Sequence, residues 1–427
     1  MATATTPKGA WGMTTLLFFY MLVNFADKIV VGLAGVPIMK DMGLSPEQFG
    51  LLGSSFFSLY AVSAIVVGII SDRVATKWIL LVLGVSWAIV QFPMLGNVGF
   101  ATLLICRILL GVGEGPAAAV ATHAIYKWFP DEKRTMPTAI LSQGSAFGVI
   151  IAVPALNWVI VNYSWHHAFG VLGVLGLIWC VAWFALGKEG PIVDKVVAVS
   201  APAPRVPYLR LLTSRTFIGA VLASFGAYWA LVLGLTWFTP FIVAGLGFSQ
   251  KDAGWISILP WVFGAADVLL TGWLSQVLMA RGVSTRYARG VLGALPLVIG
   301  GLIVLMIPYA SSAGWQVVLL VVGTGLTGSI YVVCAPMLSE YTPASQRGTI
   351  IAVFGAIYTL AGILAPMVMG SMVQRAATPL EGYFTGFLIN AVILIVAGLA
   401  GLLLLRPNTE KARLARAARG AMVQKAA

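Results

Sequence analysis

Twelve long apolar stretches fill this chain, and only a handful of charged residues interrupt them. A segment of about 20 mostly apolar residues is long enough to cross a hydrocarbon core. No water reaches that depth to satisfy backbone polar groups, so each stretch must close its hydrogen bonds internally, as a helix. The stretches predict helices over roughly 13–38, 48–71, 78–98, 100–126, 135–160, 165–187, 216–245, 252–280, 286–309, 314–340, 346–372 and 382–406. Five charged residues fall inside them: Asp27, Lys28, Arg107, Glu114 and Asp267. An ionisable side chain at mid-membrane depth is costly, and by default it marks an ion or substrate path.

Composition settles the class. A length of 427 residues would suggest two or three soluble domains. Yet 59% of the residues are hydrophobic and 9% charged, against about 25% charged in soluble domains. The chain reads as an all-α integral membrane protein. The net charge of +12 does not point to nucleic acid, because of where the charges fall. Of 26 lysines and arginines, 21 lie in loops and tails on one side, whereas Lys40, Lys251 and Arg375 lie on the other. That asymmetry places both termini in the cytoplasm. Cys106, Cys180 and Cys334 all lie in apolar stretches without metal-like spacing, so neither a disulfide framework nor a metal site is expected. A single Lys8 precedes the first stretch and no small-residue cleavage pattern is seen, so that stretch reads as a retained helix.

The longest break, 188–215, carries Pro191, Pro202, Pro204, Pro207 and five basic residues. It divides a six-helix bundle over 1–187 from a second over 216–406, followed by a basic tail over 407–427 suited to anionic headgroups. The halves repeat weakly. Gly68-Ile-Ile-Ser71 after the second stretch matches Gly272-Trp-Leu-Ser275 in the eighth, and Pro130-x-x-x-Arg134 matches Pro343-x-x-x-Arg347. Duplicated membrane halves are an architecture of alternating-access transporters.

Gly68-x-x-x-Asp72-Arg73-x-x-x-Lys77 resembles the signature loop of the major facilitator superfamily. A second stretch, Arg107-x-x-x-Gly111-x-x-Glu114-Gly115-x-x-x-Ala119 with Trp128-Phe129-Pro130-x-x-x-Arg134, resembles the anion:cation symporter family within it. Asn24-x-x-Asp27-Lys28 fits too, where that family usually has an acidic residue followed by Arg. Helix 5 carries Gly144-x-x-x-Gly148 and Pro154 instead of the Gly-Pro-x-x-Gly-Gly element of drug antiporters, which argues against drug export. The resemblance implies twelve transmembrane helices in two six-helix halves, the major facilitator fold. It also implies proton-coupled import of a small organic anion, a carboxylate, by a monomer of the bacterial inner membrane, with the proton gradient as energy source and no other cofactor. On the ordinary reading Asp72, Arg73 and Lys77 face solvent; the resemblance suggests instead that they, with Arg134 and Arg347, form a charge relay latching the halves, and that Tyr60 is a cavity tyrosine. Three departures bear on substrate. Lys28 replaces a planar arginine clamp with a point charge, and Ser145 and Gly355 stand where sugar-acid members carry larger amides. Fewer amides favour a less hydroxylated acid.

The charged residues then take roles. Arg107 and Glu114 are seven apart and share a helix face, about 10 Å apart along the axis. Asp27 and Lys28 are adjacent and diverge by about 100°, so each needs a partner elsewhere. The expected pair is Asp27 with Arg107, leaving Lys28 for substrate or Glu114. Lys28 and Arg107 supply fixed cations for a carboxylate. Poor hydration favours the neutral carboxyl, so Asp27 and Glu114 are the candidate proton carriers. The competing reading is a static ion network joining helices 1 and 4. Asp267 is either a second proton site or a hydrogen-bond partner of a nearby Ser, Thr or Trp. His123 reads as a packing or interfacial residue, and His166 and His167 as interfacial. Tyr60, Gln143, Ser145, Trp237 and Tyr358 are candidates to shape the pocket, each against an ordinary packing role. Other readings are a facilitator or exporter of similar acids, or a transporter-like sensor. No paired nucleophile and base, metal cluster or phosphate loop supports an enzyme.

Overall fold

A computed structural model describes residues 7–71, 73–130, 133–192, 206–343, 346–414 and 416. Among them are twelve helical segments long and apolar enough to cross a membrane. They are α1 (Ala10–Leu33), α2 (Pro46–Ser71), α3 (Thr76–Leu95), α4 (Phe100–Tyr126), α5 (Met136–Asn162) and α6 (Trp165–Leu186) in the first half. The second half holds α7 (Arg215–Thr236), α8 (Gln250–Ala280), α9 (Arg286–Tyr309), α10 (Ala313–Tyr341), α11 (Arg347–Arg375) and α12 (Pro379–Leu404). All twelve predicted stretches are present.

Helix starts follow capping chemistry. Ser45 and Gln48 form a reciprocal capping box at α2, with Pro46 in the first turn. Ser249 and Ser312 accept the amides of Asp252 and Trp315 to open α8 and α10. Two predicted helices end early. The first was expected to reach 38, but it stops at Leu33, and a separate helix Gly35–Met42 follows a bend at Ala34. The seventh was expected to reach 245, but it stops at Thr236. Pro240 cannot donate to a carbonyl four residues back, and its ring crowds that carbonyl. A short helix Phe238–Pro240 and a wide turn Phe241–Gly245 finish the segment.

Packing divides the chain into two compact units. The first comprises Met1–Ala198, Leu233–Trp261 and Ile363–Tyr383; the second comprises Val199–Val232, Val262–Gly362 and Phe384–Ala427. Sequence halves follow the chain, whereas these units follow contacts. The first unit is built on close backbone approach at small residues. A Cβ at Gly32 would lie 2.0 Å from the Leu235 carbonyl oxygen, and one at Gly50 would lie 2.5 Å from that of Pro366. In the same unit Gln250 Nε2 donates to the Leu33 carbonyl (2.9 Å) and to Asn157 Oδ1 (3.0 Å). The second unit has its own apolar core, including Ala223, Leu297, Ile330, Met337, Phe354 and Leu394.

The repeat has a structural counterpart. Arg134 Nε donates to the Phe129 carbonyl (3.0 Å), and Arg347 Nε donates to the Thr342 carbonyl (3.2 Å). Each arginine reaches back five residues, so the two Pro-x-x-x-Arg turns close in the same way.

Candidate functional site

Four of the five intramembrane charges meet in the first unit. Relative exposure is 0% for Glu114, 1% for Asp27, 3% for Arg107 and 7% for Lys28, so none of them is solvated from the surface. Glycines on α4 set their depth. A Cβ at Gly111 would fall 1.8 Å from the Phe56 carbonyl oxygen, and one at Gly115 would fall 2.3 Å from that of Tyr60. Only glycine lets α4 press its backbone on α2, which holds the face bearing Arg107 and Glu114 in place. On the other side, Gly144 and Gly148 of α5 seat against the carbonyls of Phe18 and Leu22 on α1 (2.6 and 2.5 Å to a built Cβ).

The pairing agrees with one of the two partners expected for Lys28 and departs from the expectation for Asp27. Lys28 Nζ lies 3.0 Å from Glu114 Oε2, and it also donates to Asn24 Oδ1 one turn back. The contact with Glu114 is one of charge rather than alignment, since neither carboxylate oxygen receives a well-directed hydrogen bond. Arg107 does not pair with the Asp27 carboxylate. Its Nη1 donates to the Asp27 backbone carbonyl at 3.4 Å, and Gln91 Nε2 donates to Asp27 Oδ1 at 2.8 Å. The reason is geometric: α3 brings Gln91 to the face of α1 that Asp27 occupies, and the neutral amide takes the place foreseen for the guanidinium. Aromatic faces complete the site. Lys28 Nζ is 4.5 Å from the Phe25 ring centre and 5.8 Å from that of Tyr60, and the Arg107 guanidinium is 4.8 Å from that of Phe56. Such contacts stabilise desolvated cations.

Two acids and two cations are thus closed inside an apolar helix bundle, where ionisable groups by default mark an ion or substrate path. Residues 16–327, and again 278–425, match the family model described as Major Facilitator Superfamily. The chain belongs to the major facilitator superfamily. It is similar to a hexuronate transporter of Bacillus subtilis (27% identical, covering 92% of this chain and 95% of the relative). It is also similar to a probable galactarate/D-glucarate transporter of the same organism (26%, covering 92% and 91%). In fold it resembles the crystal structure of a D-xylose-proton symporter (TM-score 0.77, 17% identical, covering 94% and 99%). This superfamily member is a transporter and not an enzyme, and a multi-pass integral protein of the bacterial inner membrane.

The other anticipated residues are spread more widely. Tyr60 borders the cluster through its ring. Gln143 and Ser145 flank Gly144 on α5, both half-buried, and they are not among the partners of the four charges. Trp237 is fully buried; its Nε1 donates to the Pro366 carbonyl (3.1 Å), and its ring meets Phe49 edge-on at 4.9 Å. That is a packing position with no open edge for a substrate. Tyr358 lies in the second unit, ring to ring with Tyr228 (5.3 Å) and Phe354 (5.0 Å). Gly355, one turn earlier, faces open space.

Of the signature loop, Asp72 lies outside the described residues. Arg73 is exposed. Lys77 Nζ donates to the Phe184 carbonyl at the end of α6 (3.2 Å). Glu189 accepts the amides of Thr76 (3.2 Å) and Lys77 (3.0 Å) at the start of α3, and it pairs with Lys127. Burial pushes the Glu189 carboxyl up, but the hydrogen bonds from Lys127, the Lys77 amide and Thr76 outweigh it and hold the group below its ordinary value.

Gln91 and Glu189 were missed from sequence. A lone glutamine inside an apolar stretch was the available signal for Gln91, which the structure buries to 2% exposure. Glu189 lies in the loop just past the sixth stretch and offered none.

Proposed function

We propose that this transporter imports a small organic anion, a carboxylate, by proton symport with alternating access, acting as a monomer with both termini in the cytoplasm. The observation that carries the reading is the sealed contact between Lys28 and Glu114. Protonating Glu114 removes the charge that holds Lys28. The ammonium then needs an anion, and a substrate carboxylate supplies it. Arg107, whose Nε has no partner, offers a second donor. Asp27, held by the neutral Gln91, is the second proton carrier of the cluster. Energetics favour the coupling. An anion entering against an inside-negative potential is opposed by about 2.3 kcal/mol per 100 mV. One proton cancels that term for a monovalent acid, and two reverse it.

The relatives' hexuronate and galactarate/D-glucarate names direct the substrate to carboxylates. The test is uptake into proteoliposomes of hexuronates, aldarates and aromatic carboxylates, with and without an inward proton gradient, comparing wild type with Glu114→Gln. Gradient-driven accumulation in wild type, with exchange alone in the variant, is the expected result. Binding of an acid without accumulation in wild type defeats the symport reading and favours a facilitator or sensor.

A further inference from the structure

Asp267 is the one charged residue of the helix Leu259–Ala280 within α8. It belongs to the second unit, apart from the four-charge cluster of the first. The backbone N–H of Ser329 lies toward its carboxyl. That amide opens the helix Ser329–Tyr341, just after a tight turn at Leu326–Gly328 breaks α10. Capping a free helix amide accounts for one interaction of the carboxyl. It does not account for Oδ2, which is sealed from solvent and has no hydrogen-bond partner.

No cation answers it. Among the described residues, Asp267 makes no ion pair with any Lys, Arg or His. The segment packed against it, 326–341, carries Tyr331, Cys334, Glu340 and Tyr341 as its titratable groups. Glu340 is already paired with Arg289, and it lies about 16 Å further along the helix from Ser329. A desolvated carboxylate with neither cation nor hydrogen bond on one oxygen costs several kcal/mol. A proton removes that cost and turns the oxygen into a donor. A Cβ built at Gly328 would lie 3.4 Å from Asp267 Oδ2 and 3.6 Å from the Gly264 carbonyl oxygen, so both oxygens border the space that this glycine leaves open. Thr271 and Ser275 follow at i+4 and i+8, both buried. Residues at that spacing share a helix face, so a line of hydroxyls leads from the carboxyl toward the Ala280 end.

We propose that Asp267 is a further proton-binding site of this transporter, in the second unit and apart from Glu114 and Asp27, which takes up and releases a proton during the transport cycle through the hydroxyl line of Thr271 and Ser275. It extends the symport reading above and rests on it only for transport. Asn at 267 keeps an oxygen for the Ser329 amide but cannot carry the proton, so Asp267→Asn separates a proton site from a static cap.

The first measurement needs no substrate. Infrared spectra are taken of the reconstituted full chain, labelled at aspartate C4 with carbon-13, in the Asp27→Asn background. At neutral pH exposed aspartates are ionised. The expected result is an isotope-shifted carboxylic acid C=O band that persists in Asp27→Asn and is lost when Asp267→Asn is added. Absence of that band in Asp27→Asn overturns the proposal even if the double variant fails to fold. So does a band indifferent to Asp267→Asn. A band abolished by sodium ions at constant pH would make this a metal-cation site and overturn the proton assignment. The second measurement is the proton-to-substrate ratio with D-glucuronate, expected to fall by one in Asp267→Asn; an unchanged ratio overturns the coupling role. Should wild type show no proton-driven uptake of any acid, the symport reading fails, and the infrared result still decides Asp267.

Discussion

Two acids at membrane depth, Glu114 and Asp267, sit in opposite company: the first is fully buried, the second half-buried with its Oδ2 sealed. Glu114 is sealed at 0% exposure with Lys28 3.0 Å away, and Arg107 lies two turns earlier on the same face. Asp267 has one backbone amide and no ion-pair partner among the described residues. The difference teaches that burial by itself does not define a role. On the symport reading proposed above, protonating an acid that has a cation releases that cation and links proton to substrate anion; on the inference drawn for Asp267, an acid without one takes a proton instead and holds no substrate donor.

The sharpest way to break this contrast is Glu114→Gln. Losing one coupled proton forfeits about 2.3 kcal/mol per 100 mV, so steady-state accumulation is expected to fall by about 50-fold at that potential. Accumulation that survives in proteoliposomes would place the coupling elsewhere.

Next is Lys28→Met, which strands Glu114 without its cation. Breaking a buried pair costs about 3–5 kcal/mol, to be read as a lowered thermal transition in detergent or liposomes. Adding Glu114→Gln to Lys28→Met should recover most of that loss. Asp267→Asn, with no cation to strand, should leave the transition nearly unmoved.

A pair of glycine substitutions sharpens the comparison through packing. Gly111→Ala drives a methyl to within 1.8 Å of a backbone carbonyl of α2, which must shift the α4 face; overpacking of this kind costs about 1–3 kcal/mol. Gly328→Ala beside Asp267 meets the Val268 side chain at 2.9 Å, a group that can turn aside. The alanine at 111 should therefore lower both thermal stability and uptake, and the one at 328 should do much less. Equal effects would mean that α4 is not seated by close backbone contact.

The smallest effect belongs to Glu189, an acid outside the spans. Its carboxyl is held below the ordinary value, against burial, by Lys127, the Lys77 amide and Thr76. A lowered carboxyl adds stability that is complete above the unfolded-state value, about 4.3 for Glu, and is lost as pH falls through the lower native value. Thermal transitions measured from pH 7 downward should therefore decline less in Glu189→Gln than in wild type, and only below about pH 5. An identical decline would show that the contacts at the start of α3 do not bias the titration.

The sequence by itself determined the twelve spans and the five charges that fall inside them. Both are local or compositional properties. In lipid, apolar length dictates a helix and every intramembrane charge is expensive, so nothing remote can override the pattern. The Pro-x-x-x-Arg repeat was legible for the same reason, since each arginine closes on a carbonyl five residues away. Tertiary structure alone decided the pairing. Asp27 is met by Gln91, 64 residues away, and by Arg107 through its backbone only, 80 residues away, because partners at a helix interface are set by how neighbouring helices turn and how closely their glycines let them approach. It also decided that Trp237 packs against Pro366 rather than lining a site. Above all it decided which of the two acids, Glu114 and Asp267, has a cation beside it among the described residues. One-dimensional spacing cannot give that distinction, because it depends on which face of another helix lies opposite.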